Sequence, residues 1–494
     1  MTPKNIPWRQ LKHHWEIYLF VLPTVLTLGL FIYYPASSGI FHSFFRWNGA
    51  DVAEPVGWQN YRDLIASDEF WGSFKNAFTL GIANAFKMVV ALLVAVCIHR
   101  CRSEKLQYFY RLLFVIPMVI PPLVVALIWR SFFFEATNGY LNRLLSAAHL
   151  YPLLNTLAPF FGWGDAFAGG AKPAWLGDPR LLMTSVIVWG FPWISSLAIL
   201  THLAKLQGIS KDIYEAADID GITWWSKFTR IELPLITGSI YLMLVFTIIG
   251  TIMDAGMIIA LAGFEGGPGG KVDVPALFML RKAFIDQKMG YACAVGLVLS
   301  IIVMSLQKLS TTVRNWETLK PWQRLALRNG ALAGGLYLLY ARAFLPVGVV
   351  LVLLGLPWAR LAALRERLGE GWTGPRDPES GARAAERRIQ RAEQPWRKAR
   401  HGLGALLLRL NKHATIVFVL LLSLLPLYLM LIVSVKTNAQ FYSQPATLTQ
   451  PVHWDNWVSA WQMVTPTLAN SVCISFFSTV LMLALALLGA YFFA

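Results

Sequence analysis

The stretch Ile213-Tyr214-Glu215-Ala216-Ala217-Asp218-Ile219-Asp220-Gly221-Ile222, followed by Trp224, Trp225, Phe228, Ile231, Leu233 and Pro234, separates two long apolar runs at 181–203 and 235–262. Its pattern is that of two short helices. Ile209, Ile213 and Ala216/Ala217 recur at helical spacing on one face, and Asp212 favours the helix start through its interaction with the dipole. Gly221 can take the left-handed conformation that closes a helix. Trp224, Phe228 and Ile231 then repeat at i, i+4 and i+7, and Pro234 marks the break into the next run. The expectation is an exposed amphipathic hairpin whose two alanines let a partner approach closely, a shape suited to docking in a groove. The alternative is that these helices only pack against the ends of neighbouring spans.

The flanking runs belong to a series of eight, at 17–34, 78–98, 112–134, 181–203, 235–262, 291–306, 416–435 and 471–494. Each is about long enough to cross a ~30 Å hydrocarbon layer at 1.5 Å per residue. With 494 residues, 56% hydrophobic and only 14% charged, and a mean hydropathy of +0.51, an ordinary soluble enzyme is excluded. Irregular gaps and the lack of alternating ten-residue strands exclude a membrane barrel.

The formal net charge of +16 does not point to nucleic acid, because it is concentrated between hydrophobic blocks. Residues 360–412 hold 13 basic and 6 acidic side chains, a net +7 from one segment. Such clustering marks a cytoplasmic loop, and it suits contact with anionic membrane lipid. Arg100, Arg102, Lys105 and Arg111 in one gap, and Lys205, Lys211, Lys227 and Arg230 in another, place both gaps on the cytoplasmic side. The aromatic, acidic or glycine-rich loops 37–75, 135–180 and 264–290 then fall opposite. Six spans between 17 and 309 leave both ends inside, so 1–14 is a cytoplasmic N-terminal tail ahead of an uncleaved anchor.

Beyond 310 the organisation changes. Residues 311–411 form a basic linker containing an apolar stretch, 331–357, with basic residues on both sides. It is too short for two spans and is interrupted by Arg342 and Pro346, which favours an interfacial or re-entrant hairpin over an extra span. A second hydrophobic unit starts at 412. The four cysteines, Cys97, Cys101, Cys293 and Cys473, imply neither a metal site nor a disulfide framework.

The hairpin resembles the EAA loop of the inner-membrane permeases of binding-protein-dependent ABC importers: Glu-Ala-Ala, three residues, Gly, and ten positions later Ile-x-Leu-Pro. Glu215, Ala216, Ala217, Asp220, Gly221, Trp225, Phe228, Ile231, Leu233 and Pro234 carry the match. Ser210 and Ile222 depart from the usual proline and alanine. The resemblance extends over 15–309 and is closest to the larger maltose-type sugar permease, through Ser43-Phe44, Trp47-Asn48, Gly57-Trp58-Gln59-Asn60-Tyr61, Asn76, Arg111, Pro117, Gly139, Asn142, Trp175-Leu176, Gly266-Gly267-Pro268 and Tyr291-Ala292. From 412 the chain resembles the start of the smaller permease type, through Pro426, Ser434, Lys436, Asn456, Asn470-Ser471 and Ala490-Tyr491.

The resemblance implies an all-α polytopic membrane protein: a six-span ABC importer permease bundle at 15–310, followed at 412–494 by the first two spans of a second, incomplete permease unit. It further implies that the reading frame continues into the rest of that unit, or that a separate second permease completes the pore. Two cytoplasmic ABC ATPase subunits, carrying ATP and magnesium, and an external solute-binding protein are the implied partners. Localisation in the bacterial cytoplasmic (inner) membrane follows from the same likeness. The implied cargo is a sugar or oligosaccharide; glycerol phosphate or a polyamine are alternatives within the family. A membrane-embedded enzyme or channel is the reading outside it.

The chain carries no phosphate loop of its own: the nearest approach, Gly270-Lys271, has Glu265 in place of the first glycine and Val272 after the lysine. No cofactor-binding, metal or catalytic cluster is expected. Asp254 stands inside the fifth run, where a carboxylate is costly. It either binds substrate hydroxyls, together with Asn84 in the second run and Trp189 and Trp193 in the fourth, whose faces can stack on sugar rings, or makes an interhelical or water-lined contact while the tryptophans pack. Lys87 in the second run snorkels or pairs with a carboxylate.

Overall fold

The computed structural model describes residues 15–51, 53–101, 103–137, 139–168, 172–314, 395–444 and 447–493. The tail 1–14 and the apolar stretch 331–357, with most of the linker, lie outside the described residues. What is described is helical apart from one two-stranded antiparallel pair, Phe45–Arg46 with Glu54–Pro55.

Five uninterrupted helices are long and apolar enough to cross a membrane: Val21–His42, Asp68–His99, Met289–Lys308, Lys412–Ser434 and Asp455–Ala490. Two bent pairs are long and apolar enough only when each is taken as one unit, Glu104–Val119 with Pro122–Phe133 at 80° and Trp224–Leu235 with Thr237–Met253 at 68°. The protein is therefore a multi-pass helical membrane protein.

Asp68–His99 is the central pillar. It starts where Ser67, in extended conformation, accepts a hydrogen bond from the Phe70 amide at 3.2 Å, with Asp68 and Glu69 in the first turn complementing the dipole. Its 32 residues reach about 48 Å, more than the ~30 Å hydrocarbon layer, so both ends project beyond it. Two cores pack along the pillar. Near its start, Leu64, Phe70 and Leu80 meet Leu182, Ile258 and Phe278. Near its end, Val94 and Ile98 meet Phe114, Leu203, Leu206 and Phe228. Ile416, Val419 and Leu420 of the helix Pro395–Ser434 complete the second core, so this helix is built into the bundle that precedes it.

The sequence runs at 181–203 and 235–262 are each interrupted. The fourth consists of Leu182–Val188 and Ser196–Gln207, with Trp189–Ser195 unwound between them. The fifth consists of Thr237–Met253 and Ala255–Ala262, broken at Asp254. Hydropathy registers apolar length and averages over the single residues that stand at these breaks, Gly190 and Pro192 in the fourth run and Asp254 in the fifth. Irregular backbone at membrane depth is tolerated where protein or a cavity surrounds it.

At the end of the bundle away from the hairpin, the motif residues act as pins. The buried Asn142 donates to the carbonyls of Ala136 and Pro173 at 2.8 and 3.2 Å, and accepts from Trp175 Nε1 at 2.8 Å and Tyr151 Oη at 3.1 Å. Asn60 likewise donates to the carbonyls of Ser43 and Phe45, and Asn76 to those of Gly270 and Asp273.

Candidate functional site

The hairpin begins with the helix Lys211–Ile219, entered from an extended Ser210 that makes no side-chain cap, with Asp212 in the first turn. Gly221 has φ +65°. The Ile222 amide donates to Ala217 O at 3.0 Å and the Gly221 amide to Asp218 O at 3.1 Å, the paired bonds of a Schellman ending. Thr223 caps the next helix through the Ser226 amide, and Lys227 pairs with Asp218 across the turn. The second arm runs Trp224–Lys227, Phe228–Glu232 and Leu233–Leu235; the bend falls at Ile236, two residues after Pro234.

One face of this hairpin is seated and the other is open. Ala217 and Phe228 are buried, and Ile231 and Leu233 half-buried. Glu215, Ala216, Asp220, Gly221 and Pro234 are exposed. Ile219 at 87% exposure and Trp225 at 62% present apolar surface outward. Glu215 makes no ion pair among the described residues.

A buried ion pair fixes the seated face. Glu232, with no exposed surface, receives Arg100 Nε at 2.9 Å and Arg100 Nη2 at 2.6 Å. Tyr214 Oη donates to the same carboxylate at 3.3 Å and lies 3.0 Å from His99 Nε2. Burial, with Glu232's charge beside it, raises the Tyr214 phenol above its ordinary range. The Arg100 guanidinium stacks 4.4 Å from the Trp224 ring centroid. Lys412 Nζ donates to the Arg100 carbonyl at 2.9 Å, tying the helix Pro395–Ser434 to the same corner. Sequence reasoning used Arg100 only for topology and passed over Glu232, which occupies the unspecified position of Ile-x-Leu-Pro; the available signal was a carboxylate set directly against an apolar run.

The second candidate site lies between the interrupted spans. A cavity of about 480 Å³ is lined by Asn84, Lys87, Trp129, Trp189, Trp193 and Thr247, with Leu422, Ser423 and Pro426 from the helix Pro395–Ser434. A smaller one, about 170 Å³, is lined by Asn84, Thr247, Thr251 and Asp254. The structure thus gathers all four residues singled out for the substrate path around two adjoining cavities that share Asn84 and Thr247. Asn84 Nδ2 donates to Thr251 Oγ1 at 3.0 Å. Asp254 Oδ1 accepts the Met257 amide at 3.1 Å and so caps the half-helix Ala255–Ala262, a local role that neither sequence alternative contained. Trp193 has φ +60°, and its Nε1 donates to Ile187 O at 3.2 Å, which holds the unwound segment over the cavity. Trp189 Nε1 is buried and has no hydrogen-bond partner.

A multi-pass helical bundle with an outward-facing helical hairpin and a cavity between broken spans defines a transport-type membrane protein. Residues 87–311 match the family described as binding-protein-dependent transport system inner membrane component. The chain is 30% identical over 292 residues to the probable ABC transporter permease protein YurN of Bacillus subtilis (strain 168), covering 58% of this chain and 92% of that protein. It belongs to this family of importer permeases. It is also 28% identical to the multiple sugar-binding transport system permease protein MsmF of Streptococcus mutans serotype c, over 59% of this chain and 92% of that one. Among solved structures, a chain from a bacterial alginate ABC transporter in complex with an alginate pentasaccharide-bound periplasmic protein is similar at 22% identity and TM-score 0.49, covering 63% of this chain and 98% of that chain.

Proposed function

We propose that the chain is the permease of a sugar or oligosaccharide importer in the bacterial cytoplasmic membrane, with its N-terminus and hairpin in the cytoplasm. An external solute-binding protein delivers the cargo, and two ABC ATPase subunits, which hold ATP and magnesium, drive the cycle. The observation that carries this reading is the hairpin itself. Its first helix is sharply ended at Gly221, anchored on one side through Glu232, and open on the other at Glu215, Ala216, Ile219 and Trp225. That is a surface for insertion into a groove. Glu215 pairs with a basic residue of that groove, and Asp220 faces the same partner.

Coupling follows from connectivity. When ATP closes the ATPase pair, the hairpin is displaced; through Glu232 and Arg100 that motion reaches the pillar Asp68–His99, which lines the cavity at Asn84 and Lys87. ATP can shift the inward–outward equilibrium only because the ATPases grip the hairpin differently in the two states. The aromatic cavity suits sugar rings, and relatives named for sugar transport agree with it. Residues 412–494 contribute the first spans of a second permease unit.

The test is co-expression of the full chain with the ATPase and binding protein encoded beside it. Co-purification of the ATPase, and ATP hydrolysis stimulated by sugar-loaded binding protein in nanodiscs, is the expected result. Failure of any ATPase to co-purify overturns the proposal.

A further inference from the structure

We infer that the cargo of this permease is an acidic sugar, whose anionic group is received by Lys87. The inference rests on the transport reading above and deepens it. Among the described residues, Lys87 is the one charged residue lining the larger cavity. Its ammonium lies 5.9 Å from the Trp193 ring centroid, and among the described residues no carboxylate lies within ion-pair distance of it. An ammonium at membrane depth without a counter-charge is unfavourable unless something supplies one. Trp189 and Trp193 give the same cavity aromatic walls. An uncompensated ammonium on the wall of a cavity calls for a ligand rich in acceptor oxygens, as a carboxylate, sulfonate or phosphate is.

Charge also orients the ligand. Asp254 lines the adjoining cavity, on the other side of Asn84. Its carboxylate repels an anion there and accepts hydroxyl donors instead. The acidic group therefore sits at Lys87, the hydroxyl-bearing face toward Asn84 and Asp254, and the ring against Trp193. A space of about 480 Å³ falls within the ~300–1,000 Å³ common for small-molecule sites.

The experiment measures direct binding to the full chain, assembled with its ATPase in nanodiscs, by quenching of tryptophan fluorescence. The probes are two matched pairs: cellobiouronate against cellobiose, and sucrose 6-phosphate against sucrose. The expected result is at least about tenfold tighter binding of one anionic member than its neutral partner, the size of one charge-assisted hydrogen bond. Lys87→Met should erase that ratio and Lys87→Arg should keep it. Preference for a uronate or for a phosphate identifies which anion is carried. Equal binding within both pairs, or a ratio untouched by Lys87→Met, overturns the inference while leaving sugar transport intact. Binding of none of the four overturns it too, and ATPase co-purification then decides whether the transport reading survives.

Discussion

The carboxylate of Glu232 and the guanidinium of Arg100, 132 residues apart in sequence, meet in a two-point ion pair at 2.9 and 2.6 Å. Through it the hairpin is held to the pillar helix by charge as well as by apolar contact. Both side chains are largely removed from solvent, 14% exposed for Arg100 and 0% for Glu232. In that setting, deleting one partner strands the other. Glu232→Ala is expected to destabilise by about 3–5 kcal/mol, and Glu232→Gln by less because it keeps a hydrogen-bond acceptor. The double change Arg100→Leu with Glu232→Leu should recover much of the loss. Melting temperature in nanodiscs and protease cleavage within the hairpin report on this. A Glu232→Ala protein that melts like the unmodified chain would show the pair contributes nothing.

Glu215 lies on the open face of the same hairpin and should behave in the opposite way. Glu215→Ala removes no internal contact among the described residues, so the melting temperature should stay within ~0.5 kcal/mol equivalent of the starting protein. Stimulation of ATP hydrolysis by loaded binding protein should fall. If it stays at the original level, Glu215 is not a docking residue.

At Gly221 an added Cβ would meet nothing within 4 Å, yet φ is +65°. Any penalty is therefore conformational rather than steric crowding. Gly221→Val should distort the hairpin turn at about 1–2 kcal/mol, whereas Gly221→Asn, which tolerates this region, should retain most coupling. Equal ATPase stimulation in the two variants would refute the argument.

Asp254 caps a half-helix and borders a cavity, and two substitutions separate these roles. Asp254→Asn keeps the capping acceptor and should change stability little, while Asp254→Leu loses the cap, about 1 kcal/mol. Transport should survive Asn better than Leu, and the Leu deficit should exceed what its small melting shift explains. Normal uptake by Asp254→Leu would leave only the capping role.

Away from the hairpin, Asp273 is buried beside Arg281 at 2.6 Å, yet burial pushes its carboxyl up to about 6. Arg281 is shared with Glu69 at 2.6 Å, and Asp273 Oδ1 has no hydrogen-bond partner, so the guanidinium only partly offsets the desolvation. A folded-state value above the ordinary carboxylate range means that the folded protein binds the proton more tightly than the unfolded chain. This group's stabilising contribution is then full below about pH 4 and is lost as pH rises through about 6. Melting of Asp273→Asn minus that of the unmodified chain should therefore increase between pH 4.5 and 7. A flat or falling difference would contradict this.

Much of the fold is written in local chemistry. Apolar run length marks the spans, since a helix must satisfy its own backbone in lipid. Gly221 announces the end of the first hairpin helix because few other residues enter that conformation readily. The hairpin's position between the fourth and fifth runs was legible for the same reason. The breaks in those runs were not read, although Gly190, Pro192 and Asp254 stand at them: an average over an apolar run hides single residues, and the extent of the unwinding at Trp189–Ser195 is seen in the folded backbone.

The sequence by itself determined the membrane class and the hairpin with its Glu-Ala-Ala and glycine, because these depend on composition and on neighbours within a few residues. Tertiary structure alone decided what depends on distant partners. It joined Arg100 to Glu232 and brought Asn84, Trp189, Trp193 and Asp254 to adjoining cavities. It also placed Leu422, Ser423 and Pro426 of the helix Pro395–Ser434 in the wall of the larger one. The reason is geometric: an ion pair or a cavity is set by how helices pack, and helix packing is fixed by side-chain shapes summed over whole faces rather than by any local pattern.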